Sequence, residues 1–189
     1  LAKFTPNPNK TYIAFNKPYA VLCQFSLPEG STKKTLAEFG FPKNVYSVGR
    51  LDFDSEGLLV LTDDGRLNSE LLLGKKAHER TYYVCVENIP SLDQIQQLKT
   101  GVIIEGKKTF PAKAESLTEE PALPPRPIPI RSRKHIPTAW IKLTLTEGRN
   151  RQVRKMTAAV GCPTLRLVRI SIGKLNLFDL KLLPGDWRV

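Results

Sequence analysis

The sequence predicts an α+β fold built on a mixed, mainly antiparallel sheet. Short runs rich in β-branched and aromatic residues recur along the chain, among them "NVYSVGRL", "RTYYVCVE" and "TAWIKLTLTEG", which is the composition of strands. Helical patterns are few, short and bounded by caps and glycines. The two kinds of segment do not alternate as strict βαβ units would, which argues against a doubly wound parallel sheet. With 189 residues, 41% hydrophobic and 25% charged, the chain is long enough for one domain, or one domain in two lobes, around a sizeable core.

Taken in order, residues 1–10, with Pro6, Pro8 and two asparagines, read as a flexible N-terminal arm, and residues 11–189 as the folded domain. "TYIAFNKP" and "YAVLCQF" predict two short strands around a turn at Asn16-Lys17-Pro18, where proline fixes φ. "TLAEFG" predicts a short helical piece ending at Gly40. "NVYSVGRL" and "GLLVLT" are strands, the second wholly apolar, and "DDG" is a turn. In "RLNSELLLG", Leu67, Leu71 and Leu72 share a helix face and Gly74 stops it. "RTYYVCVE" is a strand that sends Tyr82 and Tyr83 to opposite faces. In "SLDQIQQLKTG", Ser91 is the N-cap, Leu92, Ile95 and Leu98 form the apolar stripe, and Gly101 is the stop. Two or three strands follow through "AKAESL".

Residues 119–137, "EEPALPPRPIPIRSRKHIP", hold six prolines and so predict an extended loop. Arg126, Arg131, Arg133 and Lys134 make it basic, and a loop of this length is functional or disordered. The expectation is a mobile arm that grips phosphates. "TAWIKLTLTEG" then alternates as a half-buried strand. Asn150 is placed to cap the helix "RQVRKMTAAVG", on which Val153, Met156 and Val160 face the core and Arg151, Arg154 and Lys155 share another face. "TLRLVRISIG" is the last long strand. Arg166 and Arg169, three apart on it, are expected to face opposite ways.

Charge narrows the function classes. Residues 126–189 carry 14 Lys plus Arg against 3 Asp plus Glu, an excess of 14 − 3 = +11, while residues 1–125 hold 15 of each. The whole net charge of +11 therefore lies in the last third of the sequence. Such one-sidedness suits a polyanion-binding face. No apolar run is long enough to span a membrane. Cys23, Cys85 and Cys162 are widely spaced and odd in number, which fits a reducing, cytoplasmic setting and argues against a disulfide framework or a zinc site.

"VGRLDFDSEGLLVLTDDGR", residues 48–66, concentrates Asp52, Asp54, Glu56, Asp63 and Asp64. Asp52, Asp54, Glu56, Gly57 and Asp63 match an EF-hand register in part. However, the segment before them has strand chemistry, and positions 7 to 10 of the supposed loop are Leu58, Leu59, Val60 and Leu61, which rejects calcium. A metal-dependent nuclease needs converging carboxylates. Asp63 and Asp64 stand at the far end of a strand from Asp52, by more than ~15 Å at strand rise, so that reading is weak. What remains is an aspartate in a turn beside Arg50. Ionised by basic partners, it has the makings of a nucleophile, although turn aspartates commonly just satisfy backbone N–H groups. Arg50 is expected to pair with a nearby carboxylate, Lys17 to sit on a turn, and Asp54, Glu56, Asp63 and Asp64 to be solvated or capping.

"GRLDFDSEGLLVLTDDG" resembles the signature of the pseudouridine synthases related to ribosomal small-subunit pseudouridine synthase A. "FNKP" at 15–18 is similar to their first motif, "RTYYV" at 80–84 to their tyrosine strand, and "EGRNRQVRKM" with "GCPTLRLVRISIG" to their C-terminal motif. The order agrees over most of residues 12–189, and the large-subunit pseudouridine synthase E branch is the most similar. The expectation is a catalytic domain without the N-terminal S4-like RNA-binding domain of many relatives. Ser55 stands where many have Thr, and Arg80 where Lys is common. The resemblance implies the pseudouridine synthase catalytic fold, with a sheet in two lobes and a central active-site cleft. It implies isomerisation of uridine to pseudouridine in ribosomal RNA, 23S being expected, by a monomer without metal or organic cofactor. Asp52 matches the catalytic aspartate, Tyr82 the tyrosine that stacks on the target base, and Arg154 the basic residue that pairs with the aspartate. Lys17, Arg50, Arg126, Arg131, Arg133, Arg149, Arg151 and Lys155 are the candidate RNA contacts. A binding-only rival, an RNA-binding or chaperone-like protein with an inactive site, keeps the basic face without the chemistry.

Overall fold

The computed structural model describes residues 6–27, 29–67, 78–130, 133 and 135–189. Its main sheet contains β1 (Tyr12–Lys17), β4 (Tyr46–Val48), β5 (Glu56–Thr62), β6 (Arg80–Glu87), β9 (Lys113–Ser116), β10 (Thr138–Leu145), β11 (Thr164–Ile172), β12 (Leu175–Asn176) and β13 (Trp187–Arg188). Its order is β13-β1-β5-β11-β6-β10-β9, with β4 beside β5 and β12 beside β11. Every pairing in it is antiparallel except β5 with β11. The mixed, mainly antiparallel α+β fold expected from the sequence is present.

The β5–β11 contact joins two lobes. On one side, α1 (Leu92–Thr100) and α2 (Gln152–Ala159) contribute to a core with β6, β10, β9 and β11, including Val84, Leu98, Ile141, Leu143 and Met156. On the other, β5 is buried along its whole length and feeds two cores. Leu59 and Leu61 pack with Ile13, Phe15 and Leu36, while Leu58 and Val60 pack with Val48, Leu67 and Ile172. A strand buried on both faces reads as a continuous apolar run, which is the "GLLVLT" pattern.

The parallel register covers two pairs, Val168 with Glu56 and Arg169 with Gly57. A Cβ on Gly57 would collide with the Arg169 backbone, and its φ is +102°, so only glycine permits this approach. Arg166 donates to both Glu56 oxygens, from Nε at 3.0 Å and Nη2 at 2.8 Å, and Nη2 also donates to the Pro124 carbonyl at 2.8 Å. Both side chains are 7% exposed. Glu56 is therefore a buried anchor and not the solvated carboxylate expected.

Several local expectations hold. The helical piece is a 3₁₀ turn, Leu36–Phe39, with a Thr35/Glu38 capping box and left-handed Gly40. Ser91 caps α1 in a box with Gln94, and Ile95 and Leu98 are buried. Leu92 is 89% exposed, so the stripe is narrower than predicted. Beyond β1, the turn falls at residues 18–20, where Ala20 has φ +60°. The segment after it supplies only β2 (Val21–Leu22), which pairs in parallel with β3 (Lys34–Thr35) instead of returning on β1. Two-residue strands β7 (Ile103–Ile104) and β8 (Lys107–Lys108) form a hairpin. In residues 7–10, Lys10 N–H donates to Asn7 O, Asn7 N–H donates to the Tyr12 hydroxyl, and Lys10 meets Asp63. The helix predicted over 66–74 begins at Gly65–Leu67, and its Leu71, Leu72 and Gly74 lie outside the described residues.

One correction concerns the C-terminal region. Asn150 does not cap α2. The N-cap is Arg151 in left-handed conformation (φ +50°) without a side-chain cap bond, and the Asn150 side chain accepts from Lys155. Arg166 and Arg169 pair in unbroken register opposite Cys85 and Tyr82, the irregularities of β11 lying outside them, so the two side chains face opposite ways as expected. Neither reaches the surface; they are 6% and 4% exposed. Within 119–137 the described residues form no helix or strand. Arg126 stacks over Tyr19 and donates to Ile128 O and Pro129 O, so this residue braces the loop internally.

The buried pair makes a stability prediction. Glu56→Ala leaves Arg166 as an unpaired buried charge and should cost ~3–5 kcal/mol, whereas Glu56→Ala with Arg166→Met should recover much of it. Urea unfolding of the three proteins measures this. Equal stability of the single and double variants would show that Glu56 and Arg166 do not act as a pair.

Candidate active site

The aspartate turn is bolted down from below. Asp52 O accepts from Ser55 N–H at 3.1 Å, closing the turn, and Phe53 O accepts from Ala20 N–H at 3.0 Å. Leu51, 6% exposed, anchors the turn in a core. Lys17 sits beneath it with no exposed surface. Its Nζ donates to Ser55 O at 2.8 Å and to Pro18 O at 3.0 Å. Lys17 is thus a buried brace between β1 and the turn. It is removed from the RNA-contact set in which the sequence placed it.

From above, the start of α2 closes over the turn. The Arg151 guanidinium grips Asp54 with two bonds, Nη1 to Oδ1 at 3.0 Å and Nη2 to Oδ2 at 2.7 Å, and its Nη1 also lies 3.5 Å from Asp52 Oδ2. Arg154 Nη2 donates to the Asp54 carbonyl at 2.6 Å, and its Nε is 3.4 Å from Asp54 Oδ2. The contact to Asp52 expected of Arg154 is therefore made by Arg151, and Arg154 acts on the turn through Asp54. Burial pushes Asp54 up, but the Arg151 hydrogen bonds and the Arg154 charge outweigh it and hold the carboxyl below its ordinary value. Asp54 is a clasped hinge for the turn and not a solvated side chain. Asp63 and Asp64 lie at the opposite end of β5, where Asp63 accepts from Thr11 N–H and Asp64 from Tyr12, Arg66 and the Arg66 N–H.

The turn and α2 form two walls of a cleft of about 540 Å³, a volume within the range of small-ligand sites. Residues 48–53 line one wall and 148–153 the other, and Arg80, Tyr82, Leu145, Leu167, Arg169 and Ile172 line the floor. Tyr82 faces the cleft, whereas Tyr83 lies against Phe178 on the other side, with ring centroids 6.1 Å apart. The opposite facing of the two tyrosines is legible in the strand pattern. Nothing in the sequence alone singles out Arg80, Leu167 and Arg169 as cleft residues.

The candidate RNA contacts divide. Arg50 is exposed at the cleft rim, and among the described residues it has no carboxylate partner, contrary to the pairing expected. Arg149 is committed to Glu147 and to the Lys107 and Lys108 carbonyls. Lys155 turns away to Glu105 and Asn150. Arg133 lies 3.4 Å from Glu87. Arg131 lies outside the described residues.

The turn thus presents Asp52 to a cleft that also holds Arg151 and Tyr82. A family model described as RNA pseudouridylate synthase matches residues 11–159. The chain belongs to this family and is an RNA pseudouridine synthase. Among its relatives, "Ribosomal large subunit pseudouridine synthase E" of Xanthomonas campestris pv. campestris is 52% identical over 177 residues, 94% of each chain. The protein of that name from Vibrio parahaemolyticus is 47% identical over 180 residues, 95% of this chain and 74% of its own. A solved structure, "Crystal structure of pseudouridylate synthase", superposes with a TM-score of 0.76 at 28% identity, covering 95% of this chain and 70% of its own.

Lys17 supplies a pH signature. Burial lowers its ammonium from 10.5 to about 8, against the opposing attraction of Cys23, Glu56, Asp54 and Asp52. The folded chain releases this proton near pH 8 and the unfolded chain near 10.5, so between these values the unfolded state binds more protons. Stability should rise with pH across that window, by ~3 kcal/mol for a shift of this size. Urea unfolding across this pH range should show the rise in the native chain and its loss in Lys17→Met. A rise of the same size in both would assign it to another group.

Proposed function

We propose that this chain isomerises a uridine of large-subunit ribosomal RNA, 23S, to pseudouridine, using Asp52 at the ribose and no metal or organic cofactor. The observation that carries the reading is the convergence of Asp52, Arg151 and Tyr82 on one cleft. The target nucleotide must leave its stack, at a cost of a few kcal/mol, and an aromatic platform such as Tyr82 offsets that cost. Asp52 acts ionised and aimed at C1′, held by the closed turn, by Lys17 below and by Arg151 beside it. The C1′–N1 bond breaks, the uracil rotates in place, and C1′ bonds to C5. The C5 proton then departs while N1 gains one. Arg154 is a positioning residue in this scheme, since it reaches Asp52 only through Asp54. The relatives named for the large ribosomal subunit support the choice of RNA. The three cysteines are buried and unpaired, in keeping with a reducing, cytoplasmic setting.

Arg50 at the cleft rim and Arg133, 47% exposed beside Glu87, hold the flanking phosphates in this reading. Arg50→Ala together with Arg133→Ala should weaken RNA binding and lower the salt slope by ~1 for each phosphate no longer neutralised. Salt-dependent affinity measurements check this, and an unchanged slope would remove these residues from the interface.

The chemistry is tested by tritium release from [5-³H]uridine-labelled 23S RNA, with EDTA present. The native chain should release tritium, and Asp52→Asn should lose more than ~10³-fold in rate, as enzymes do when a catalytic nucleophile is removed. Binding without release, on naked RNA and on ribosomal particles alike, would favour a binding-only protein.

A further inference from the structure

The cleft floor holds two guanidinium groups that the roles of Asp52, Tyr82 and Arg151 leave unused. Arg80 is two residues from Tyr82 on β6, so their side chains leave the same face of the strand. Arg169 of β11 stands directly opposite Tyr82 in antiparallel register, which puts it on that face as well. Arg169 is 4% exposed. Its Nε donates to Leu58 O at 2.7 Å, but its Nη2 is buried without a partner among the described residues. Arg80 Nη2 reaches Thr146 O at only 3.4 Å, and its Nε is likewise buried and unpartnered. Burial depresses the Arg80 guanidinium, Tyr82 opposes that effect, and the charge of Arg169 adds to it, which places the two cations within each other's field.

The other buried arginine, Arg166, has its carboxylate in Glu56, and the half-buried Arg149 has Glu147. Arg80 and Arg169 have none among the described residues. Two neighbouring cations with unmade hydrogen bonds are costly to keep, and the cost is offset if a bound group brings acceptors with negative charge. Tyr82, Leu145, Leu167 and Ile172 line the same floor. That surface suits a flat heterocycle with carbonyl edges better than a hydrated phosphodiester.

Uracil becomes such a group during the proposed reaction, on which this inference rests. When C1′–N1 breaks, the bonding pair stays with the ring and spreads over N1, O2 and O4, while C1′ is left facing the Asp52 carboxylate. We propose that Arg80 and Arg169 form an oxyanion site for the carbonyl oxygens of the flipped uracil, stabilising the ring while it is detached from the ribose. The guanidiniums donate hydrogen bonds and transfer no proton. The charge disappears when C5 bonds to C1′, and the ring then loses H5 and gains a proton at N1. Donors fixed in place before charge develops act most strongly in a site that excludes water.

Single-turnover reactions test this with 23S RNA transcripts carrying uridine or 5-fluorouridine, following loss of the N1-linked nucleoside by mass spectrometry of digests. 5-Fluorouracil is the more acidic heterocycle, so its anion needs less help. Arg169→Met should slow cleavage of uridine by ~10²–10³-fold, the usual cost of one oxyanion donor, with unchanged RNA affinity and a smaller loss on 5-fluorouridine. Arg169→Lys should recover part of the rate. Equal losses on the two substrates would overturn the proposal. So would a loss confined to affinity with a flatter salt dependence, which would assign the pair to a phosphodiester. If Arg169→Met does not fold, Arg80→Met, at a half-buried position, decides by the same comparison. An inactive native chain would overturn the isomerase reading itself, whereas native turnover with unaffected arginine variants would overturn this inference alone.

Discussion

The two-pair parallel contact between β5 and β11 is the constraint on which the molecule depends. Antiparallel pairing builds each lobe from neighbouring strands, but among the described residues only Val168 with Glu56 and Arg169 with Gly57 join the lobes in one sheet. Gly57 permits the approach, and the bidentate Glu56–Arg166 pair sets its register. A buried ion pair adds little net stability compared with apolar packing, yet breaking it is expensive. Its contribution is therefore geometric. The Asp52 turn runs directly into β5, while Arg169 leaves β11 beside Tyr82. A slip at the junction would carry the aspartate away from the floor it faces.

The same constraint governs the basic residues. An excess of +11 in the last third of the sequence suggests a uniformly cationic face, but many of those arginines serve as internal braces. Arg166 and Arg169 span the junction, Arg149 holds the β7–β8 hairpin, Arg126 ties its own loop, and Arg151 and Arg154 clamp the aspartate turn. Arginine suits this use because its planar fork donates in fixed directions to carbonyls and carboxylates. The clamp also explains why Arg151 occupies a left-handed conformation, which is unfavourable for a residue with a Cβ. The turn into α2 aims its guanidinium back at Asp52 and Asp54.

Features governed by near neighbours along the chain are legible in the sequence alone. The apolar run that makes up most of β5, the alternation that separates Tyr82 from Tyr83, the Ser91 cap and the Gly40 stop follow from local periodicity and capping chemistry. So does the Asp52 turn, once calcium fails on its flanks. Features set by distant partners are not legible in this way. Lys17 before a proline looks like a surface turn residue, and only the Asp52 turn folding over it makes it a buried brace. Glu56 finds its partner 110 residues away, and nothing in "DFDSEG" marks it as different from its neighbours. Alternation does put Arg166 and Arg169 on opposite faces of β11, but the partners that bury both of them are not legible. Asn150 has the right chemistry for a cap, but the left-handed Arg151 shifts the helix start beyond it.

In the proposed reaction the cleft formed at this junction receives a flipped uridine with C1′ against Asp52. A crystal structure of the chain with a 23S RNA fragment bearing 5-fluorouridine at the modified position tests it most directly. The fluorinated ring should be seated over Tyr82 with its carbonyl edge toward Arg80 and Arg169, and the ribose C1′ should touch the Asp52 carboxylate. RNA bound along the basic surface, with every nucleotide stacked outside the cleft and Asp52 untouched, would contradict it.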